Sequence, residues 1–214
     1  MIPSAVLFDC DGVVVDSETI AFDLLQGELA EAGLVLDHDA MERLFLGGTV
    51  RHLYDKARGL GADLPPGWVA AFYERLYARL RLGVPLVPGI GAVLDRLSAA
   101  GVPVAIGSNG SAEKMQITLG QHTAVQARFG GHLYSGQSLG RPKPAPDLYL
   151  HAAAMLGVDP ARAVVIEDSP TGARAARAAG MRCFGYAPKG GAALAAEGAV
   201  LFTDMADLPA LLGV

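Results

Sequence analysis

Three short apolar runs in this chain each stop abruptly at polar or acidic side chains, and this arrangement limits the folds open to it. The runs cover residues 5–8, 102–106 and 163–166. From the helical pattern that leads into the second run, predicted strands and helices alternate to the end of the chain. Such alternation favours an α/β fold with a mostly parallel sheet, whose functional groups lie at the carboxyl ends of the strands.

The first run, Ala5 to Phe8, leads into a pair of aspartates and a glycine, Asp9-x-Asp11-Gly12. Residues two apart on an extended backbone point to the same side, so both carboxylates can face one site. One could then attack phosphorus while the other transfers protons. Taken alone, the pattern is equally typical of a polar turn. It does not match a calcium-binding loop, whose glycine comes sixth and whose glutamate comes twelfth.

Other segments offer partners for these two acids. The run at 102–106 is followed by Ser108 and Asn109 between two glycines, a turn whose N–H groups and side chains could bind a phosphate. For this segment alone, an ordinary capping loop is the simpler interpretation. Lys143 lies in a proline-rich loop, where its ammonium could neutralise a carboxylate nucleophile and a phosphoryl group together. The bond before Pro144 is a candidate for a cis peptide.

The third run ends in the acidic pair Glu167-Asp168, so several carboxylates are expected to converge. Clustered carboxylates repel one another unless a cation lies among them, and oxygen ligands beside a phosphate favour Mg²⁺ over Zn²⁺. The pair alone could instead begin the following helix, with Asp168 or Ser169 as its N-cap. The predicted cofactor is Mg²⁺.

Together these segments resemble the four motifs of the haloacid dehalogenase superfamily, in that superfamily's order. The motifs are Asp9-x-Asp11-Gly12, Ser108-Asn109, Lys143-Pro144 with Pro146-Asp147, and Glu167-Asp168-Ser169 with Gly172. The resemblance covers nearly the whole chain. It implies a Rossmann-like α/β core with an inserted α-helical cap domain, as in the branch of β-phosphoglucomutases and sugar-phosphate phosphatases.

The resemblance also implies a role for each matching residue. Asp9 would be the nucleophile that forms an aspartyl-phosphate, and Asp11 would be the general acid and base. The phosphoryl group would be held by Lys143, Ser108, Asn109 and Gly12. The Mg²⁺ ion would be held by Asp9, the main-chain carbonyl of Asp11, Asp168 and, directly or through water, Glu167.

The segment after the first motif breaks the α/β rhythm, because leucine and aromatic residues recur there at helical spacing with no strand between them. We expect an α/β core of residues 1–16 and 85–214 and a helical domain of residues 17–84. The helical domain occupies the position of the family's cap, whose closure would exclude water from the site.

Arg51 is the candidate substrate contact within the helical domain. It follows the glycine pair Gly47-Gly48, which suggests a loop that could face the site. An exposed helix arginine is an equally good interpretation, because a lone charge is usually solvated. Leu44 and Phe45, in the middle of this domain, are expected to pack between helices.

Composition limits the partners. The 214 residues are about half apolar, enough for a sizeable core, and the net charge of −5 with scattered basic residues argues against a nucleic-acid surface. Without a long apolar stretch or a basic leader, we expect a cytoplasmic monomer that acts on a small phosphorylated molecule and contacts no membrane. Cys10 and Cys183 are expected to be reduced core residues.

The leading prediction is a Mg²⁺-dependent phosphatase acting on a sugar or sugar-acid phosphate. The alternative is a phosphosugar isomerase resembling β-phosphoglucomutase. Those mutases carry a histidine after the first motif, where this chain has Ala21. Dehalogenase chemistry is disfavoured because dehalogenases lack the second acid, here Asp11. A non-catalytic scaffold is disfavoured because none of the motif acids or the lysine is missing.

Overall fold

The computed structural model of the chain describes residues 2–37, 40–41 and 50–214. These residues form two compact units. One combines Met1–Asp16 with Pro85–Val214, and we call it the core unit; the other is Ser17–Val84, the helical unit.

The core unit contains a six-stranded sheet in which every neighbouring pair of strands is parallel. The strands are β1 (Ala5–Phe8), β2 (Val104–Ser108), β3 (Leu133–Ser135), β4 (Ala163–Glu167), β5 (Arg182–Tyr186) and β6 (Val200–Phe202). Their order is β3-β2-β1-β4-β5-β6. The predicted Rossmann-like α/β class is therefore confirmed, and β1 lies at the centre of the sheet.

Among the described residues, helices alternate with the strands of the core unit and also form the helical unit. They are α1 (Glu18–Glu31), α2 (Val50–Gly59), α3 (Trp68–Arg81), α4 (Ile90–Ala99), α5 (Ala112–Thr118), α6 (Thr123–Arg128), α7 (Gly136–Leu139), α8 (Asp147–Met155), α9 (Pro170–Ala178), α10 (Ala192–Ala196) and α11 (Leu208–Leu212). In the core unit, α8 packs against β1 and β2, and α9 packs against β4 and β5. All four residues of β1 are fully buried, so this strand is a continuous apolar run, as expected of a strand covered on both faces.

Two predicted boundaries can be compared with the structure. The second strand, predicted from the run at 102–106, begins two residues later and ends at Ser108. Pro103 precedes it, because proline has no N–H to donate to a neighbouring strand, although its carbonyl accepts from Val6. The helix after the third run begins as expected with Ser169 as its N-cap, since the Ser169 hydroxyl accepts the Gly172 N–H at 3.0 Å.

Aromatic packing and an ion pair are among the described contacts within the helical unit. Trp68 stacks on Phe72 with ring centroids 5.0 Å apart and on Tyr54 with ring centroids 6.1 Å apart. Arg75 on α3 donates two hydrogen bonds of 2.6 Å to Glu28 on α1. Leu44 and Phe45 lie outside the described residues.

Across the described ranges, no helix has both the length and the apolar character that crossing a membrane requires. Cys10 and Cys183 are both free and buried in the core unit.

Candidate active site

Three adjacent strands bring polar side chains to one edge of the sheet. Asp9 follows β1 directly, Ser108 is the last residue of β2, and Glu167 is the last residue of β4. Because these strands are parallel neighbours, their carboxyl ends meet at the same edge. All three residues are buried, although each is polar or charged. Buried polar groups need partners, so the contacts around them define the site.

Lys143 lies between two of these carboxylates. Its Nζ atom is 2.5 Å from Asp9 Oδ1 and 2.6 Å from Glu167 Oε1, and its side chain is only 3% exposed. The Lys143–Pro144 peptide bond is cis. Asn109 fixes the lysine's main chain from both sides: its Nδ2 donates to the Lys143 carbonyl at 3.1 Å, and its Oδ1 accepts the Lys143 N–H at 2.8 Å. Asn109 therefore orients the loop that carries Lys143.

Both carboxylate oxygens of Glu167 accept hydrogen bonds. Its Oε1 accepts from Lys143 and, at 2.8 Å, from the Tyr149 hydroxyl. Its Oε2 accepts from the Asp168 N–H, the Ser169 N–H and the Ser169 hydroxyl. A carboxylate has about four lone-pair positions, so these donors occupy its accepting capacity. Glu167 thus helps to fix the position of the Lys143 ammonium.

The two carboxylates that contact Lys143 have pKa values shifted in opposite directions. Burial would raise the pKa of Glu167, but Lys143 together with Tyr149 and Ser169 lowers that pKa below its ordinary value. Burial raises the pKa of Asp9 from 3.8 to about 7, against the opposing effect of Lys143. Burial would lower the pKa of Lys143, but the two acids raise it. Lys143 and Glu167 therefore favour their charged forms, whereas a pKa of about 7 means that Asp9 exchanges its proton near neutral pH.

The second aspartate of the first motif has its own cation. Lys114 on α5 places its Nζ atom 2.8 Å from Asp11 Oδ1. Burial would lower the pKa of Lys114, but Asp11 raises it above its ordinary value. The Ser108 hydroxyl accepts the Gly110 N–H at 2.9 Å and lies 3.5 Å from Asp11 Oδ2. Asp11 is thus placed between a lysine and the end of β2.

Two glycines allow the acids to approach the backbone closely. Gly12 has a positive φ of 78°, and a Cβ there would lie 1.9 Å from Asp168 Oδ2. A Cβ on Gly172 would lie 1.7 Å from Glu167 Oε1. Any side chain at either position would displace an acid of the fourth motif, which accounts for glycine at both.

One acidic cluster among the described residues is a candidate cation site. Asp9, Glu167 and Asp168 each offer a carboxylate oxygen, and the three oxygens lie within 4.8 Å of one another. The donors are all oxygen, as a hard divalent cation requires. The three clustered acids carry more negative charge than Lys143 can balance, so the residues fit a divalent cation. Because the Glu167 oxygens are already engaged, Asp9 and Asp168 are better suited to direct ligation.

The remaining predicted residue, Arg51, lies in the first turn of α2 and is exposed. Its guanidinium is 5.7 Å from the centre of the Tyr54 ring. The glycine pair that suggested a loop before it lies outside the described residues. Its role as a substrate contact stays a prediction.

Two residues of the site were not predicted from the sequence. Tyr149 reads as one more apolar position of α8, although it is fully buried with its hydroxyl on Glu167. For Lys114 the sequence offers one indication. It lies in the first turn of a helix, where a positive charge is unfavourable unless it has an acidic partner.

The fold and this edge define the chain as a Rossmann-like α/β enzyme with a buried, lysine-bridged acidic site. The model of the haloacid dehalogenase-like hydrolases matches residues 3–180. The chain belongs to the haloacid dehalogenase-like hydrolase family, as its four motifs indicated. It is therefore a hydrolase-type enzyme whose named relatives include phosphatases.

Three relatives illustrate this membership. The 6-phosphogluconate phosphatase of Escherichia coli is 32% identical over 182 residues, covering 84% of this chain and 80% of the relative. The protein CbbY of Cupriavidus necator is 34% identical over 193 residues, covering 83% and 75%. The crystal structure of a HAD family hydrolase from Deinococcus radiodurans, with bound phosphate and sodium, is 39% identical with a TM-score of 0.84, covering 98% of this chain and 95% of that one.

Proposed function

We propose that this chain is a Mg²⁺-dependent phosphatase that hydrolyses a sugar or sugar-acid phosphate through an aspartyl-phosphate on Asp9. In the first step an Asp9 oxygen bonds to phosphorus while the bond to the sugar oxygen breaks, and Asp11 gives its proton to that oxygen. In the second step a water oxygen bonds to the phosphorus of the aspartyl-phosphate while the bond between phosphorus and the Asp9 oxygen breaks, and Asp11 takes the water's proton. Inorganic phosphate leaves and both aspartates return to their starting states.

The observation that carries the proposal is the contact between Asp9 and Lys143. Asp9 directly follows the central strand β1 and is buried, and the lysine ammonium lies 2.5 Å from its carboxylate. A buried cation at this position would offset the charge of the nucleophile and of the phosphoryl oxygens, which is the main requirement for phosphoryl transfer. Ser108, at the end of the neighbouring strand, is the further candidate donor to the phosphoryl group.

The metal completes the charge balance in this proposal. Asp9, Asp168 and the main-chain carbonyl of Asp11 would hold Mg²⁺, and Glu167 would act through Lys143 and bound water. A bound Mg²⁺ supplies positive charge that favours the ionised nucleophile and the transferring phosphoryl group. Burial, together with the nearby acids Glu167 and Asp11, raises the pKa of Asp9 to about 7 despite Lys143, so an added cation would favour the ionised carboxylate at neutral pH.

The substrate class is proposed from the relatives. One is named for hydrolysis of 6-phosphogluconate, a phosphorylated sugar acid, and a solved relative binds phosphate. In the same proposal the helical unit acts as the cap that selects the leaving group, with Arg51 as a candidate contact. Ala21, in α1, stands where the mutases that this chain resembles carry a histidine, and its methyl group cannot transfer a proton, so this position favours the phosphatase.

The proposal is tested by phosphate release from a panel of sugar phosphates, sugar-acid phosphates and nucleoside monophosphates, with Mg²⁺ and after chelation. We expect release that requires the metal and is fastest with sugar or sugar-acid phosphates. Undiminished release after chelation would exclude the metal dependence. Conversion of β-glucose 1-phosphate to glucose 6-phosphate without phosphate release would favour the mutase.

Asp168→Asn tests the ligand assignment directly. Replacing a ligating carboxylate by an amide removes a negative charge from the cation site, so we expect Mg²⁺ affinity to fall about tenfold or more. Isothermal titration calorimetry on the substrate-free protein measures this affinity without relying on activity. Asp95→Asn is the matched control, because Asp95 is a surface residue of the same unit that pairs with Arg128. Equal Mg²⁺ affinity in the two variants would remove Asp168 from the ligand set.

A further inference from the structure

Lys114 forms a nearly buried ion pair with Asp11. The two residues are far apart in the sequence, yet Lys114 Nζ lies 2.8 Å from Asp11 Oδ1, and their side chains are only 19% and 16% exposed. Ion pairs on the surface contribute little, but partly buried pairs are screened much less by water and salt. This contact therefore restricts where the Asp11 carboxylate can point.

The local structure around Lys114 does not account for a cation there. Lys114 is the third residue of α5, where the partial positive charge of the backbone N–H groups disfavours a lysine. The helix is capped without its side chain, because the Ser111 hydroxyl accepts the Lys114 N–H at 3.0 Å. The partner that compensates this position is Asp11.

Gly110 lies directly beside the contact between Lys114 and Asp11. A Cβ on Gly110 would lie 3.5 Å from Lys114 Cδ, 3.5 Å from Asp11 Oδ2 and 3.1 Å from the Ser108 hydroxyl. The lysine stem thus crosses to Asp11 over the bare backbone of the turn after β2. The Asp11 carboxylate is held by Lys114 at one oxygen and approached by Ser108 at the other.

We propose that Lys114 is a positioning residue that holds the Asp11 carboxylate in the orientation needed for both proton transfers. This inference rests on the proposed function, in which Asp11 protonates the leaving oxygen and later accepts a proton from water. Proton transfer requires hydrogen-bond distance between the two reacting atoms, so a carboxylate free to rotate would spend less time in the reactive geometry. Lys114 acts through Asp11 and needs no contact with the substrate.

The test is a double-mutant cycle on kcat and KM for the best substrate of the panel, with Lys114→Met, Asp11→Asn and the double variant. We expect Lys114→Met to lower kcat about 10- to 100-fold with KM changed less than about threefold. In the Asp11→Asn background the same change should have almost no further effect, because its target is gone. Lys114→Arg, which keeps the charge, should recover part of kcat. If Lys114 had only a structural role, the loss of kcat in Lys114→Met would instead be accompanied by a lower melting temperature.

The outcomes separate this inference from the proposed function. If the unchanged chain releases no phosphate from any substrate, the proposed function fails. The chain could instead be active, with Lys114→Met lowering kcat by the same factor in the Asp11→Asn background as in the unchanged chain. Lys114 would then act independently of Asp11, and the inference would be wrong. A raised KM with unchanged kcat would also overturn it, since that result would make Lys114 a substrate contact.

Discussion

Asp9→Asn is expected to release phosphate about 10⁴-fold more slowly than the unchanged chain, at saturating Mg²⁺ and substrate. An amide oxygen is a poor nucleophile toward phosphorus and cannot form the acyl phosphate on which the proposed mechanism depends. Asparagine has nearly the same shape as aspartate, so the strand end and the lysine should keep their places. The measurement is steady-state phosphate release, with acid-quenched samples examined for the covalent phosphoenzyme.

The stability of the same variant provides an internal control. Without metal, burial raises the pKa of Asp9 from 3.8 to about 7, so the folded state binds this proton more tightly than the unfolded state. This contribution to stability is present below pH 4 and is lost as the pH rises through 7. Asparagine is neutral throughout. In the presence of a chelator, the free energy of unfolding of Asp9→Asn relative to the unchanged chain should therefore increase from pH 5 to pH 8.

Either of two results would count against this account of Asp9. Phosphate release within tenfold of the unchanged rate would mean that another residue is the nucleophile. A difference in unfolding free energy that does not change between pH 5 and pH 8 would mean that burial does not govern the ionisation of this acid.

Lys143→Met should be the most destabilising substitution in the site. It removes the cation that Asp9 and Glu167 share, and leaves two carboxylates facing each other in the interior. Breaking a buried ion pair by removing one partner typically costs about 3–5 kcal/mol. Where the variant remains folded, the rate should also fall about 10²- to 10³-fold, as when a preorganised donor to developing charge is lost. Urea unfolding and steady-state kinetics measure the two effects.

Lys189→Met is the matched control for stability, because Lys189 is an exposed lysine of the same unit. Its free energy of unfolding should stay within about 0.5 kcal/mol of the unchanged value. Lowering the pH should reduce the defect of Lys143→Met, because Asp9 can then be protonated and no longer repels Glu167. Similar stability of the two lysine variants would contradict the proposed importance of the shared cation.

The fold was predictable from the sequence because its strands carry local signals. The first strand is the apolar run Ala5 to Phe8 without a change at either end, and the N-cap at Ser169 follows from its hydroxyl and the proline after it. The start of the second strand was predicted two residues too early. The apolar run includes Pro103, and hydropathy alone does not show that proline has no N–H to donate to a sheet.

The contacts among the site residues were only partly predictable. Clustering of Asp9, Glu167 and Lys143 follows from parallel strands and a proline-rich loop, and the structure brings these residues together. The double hydrogen bond between Asn109 and the Lys143 main chain joins segments distant in sequence, and no local pattern records it. The same holds for Tyr149, whose hydroxyl meets Glu167 only once α8 has packed on the sheet.

The central position of β1 determines at which stage of unfolding the site is disrupted. The Asp9 N–H donates to the Ile166 carbonyl at 2.9 Å, and the strand before it is paired on both sides and shielded from water. Amide protons in such a segment exchange with solvent only when the whole unit opens. The proposed nucleophile is thus carried by the last part of the sheet to separate, and local fraying at the edge strands β3 and β6 would leave it in place.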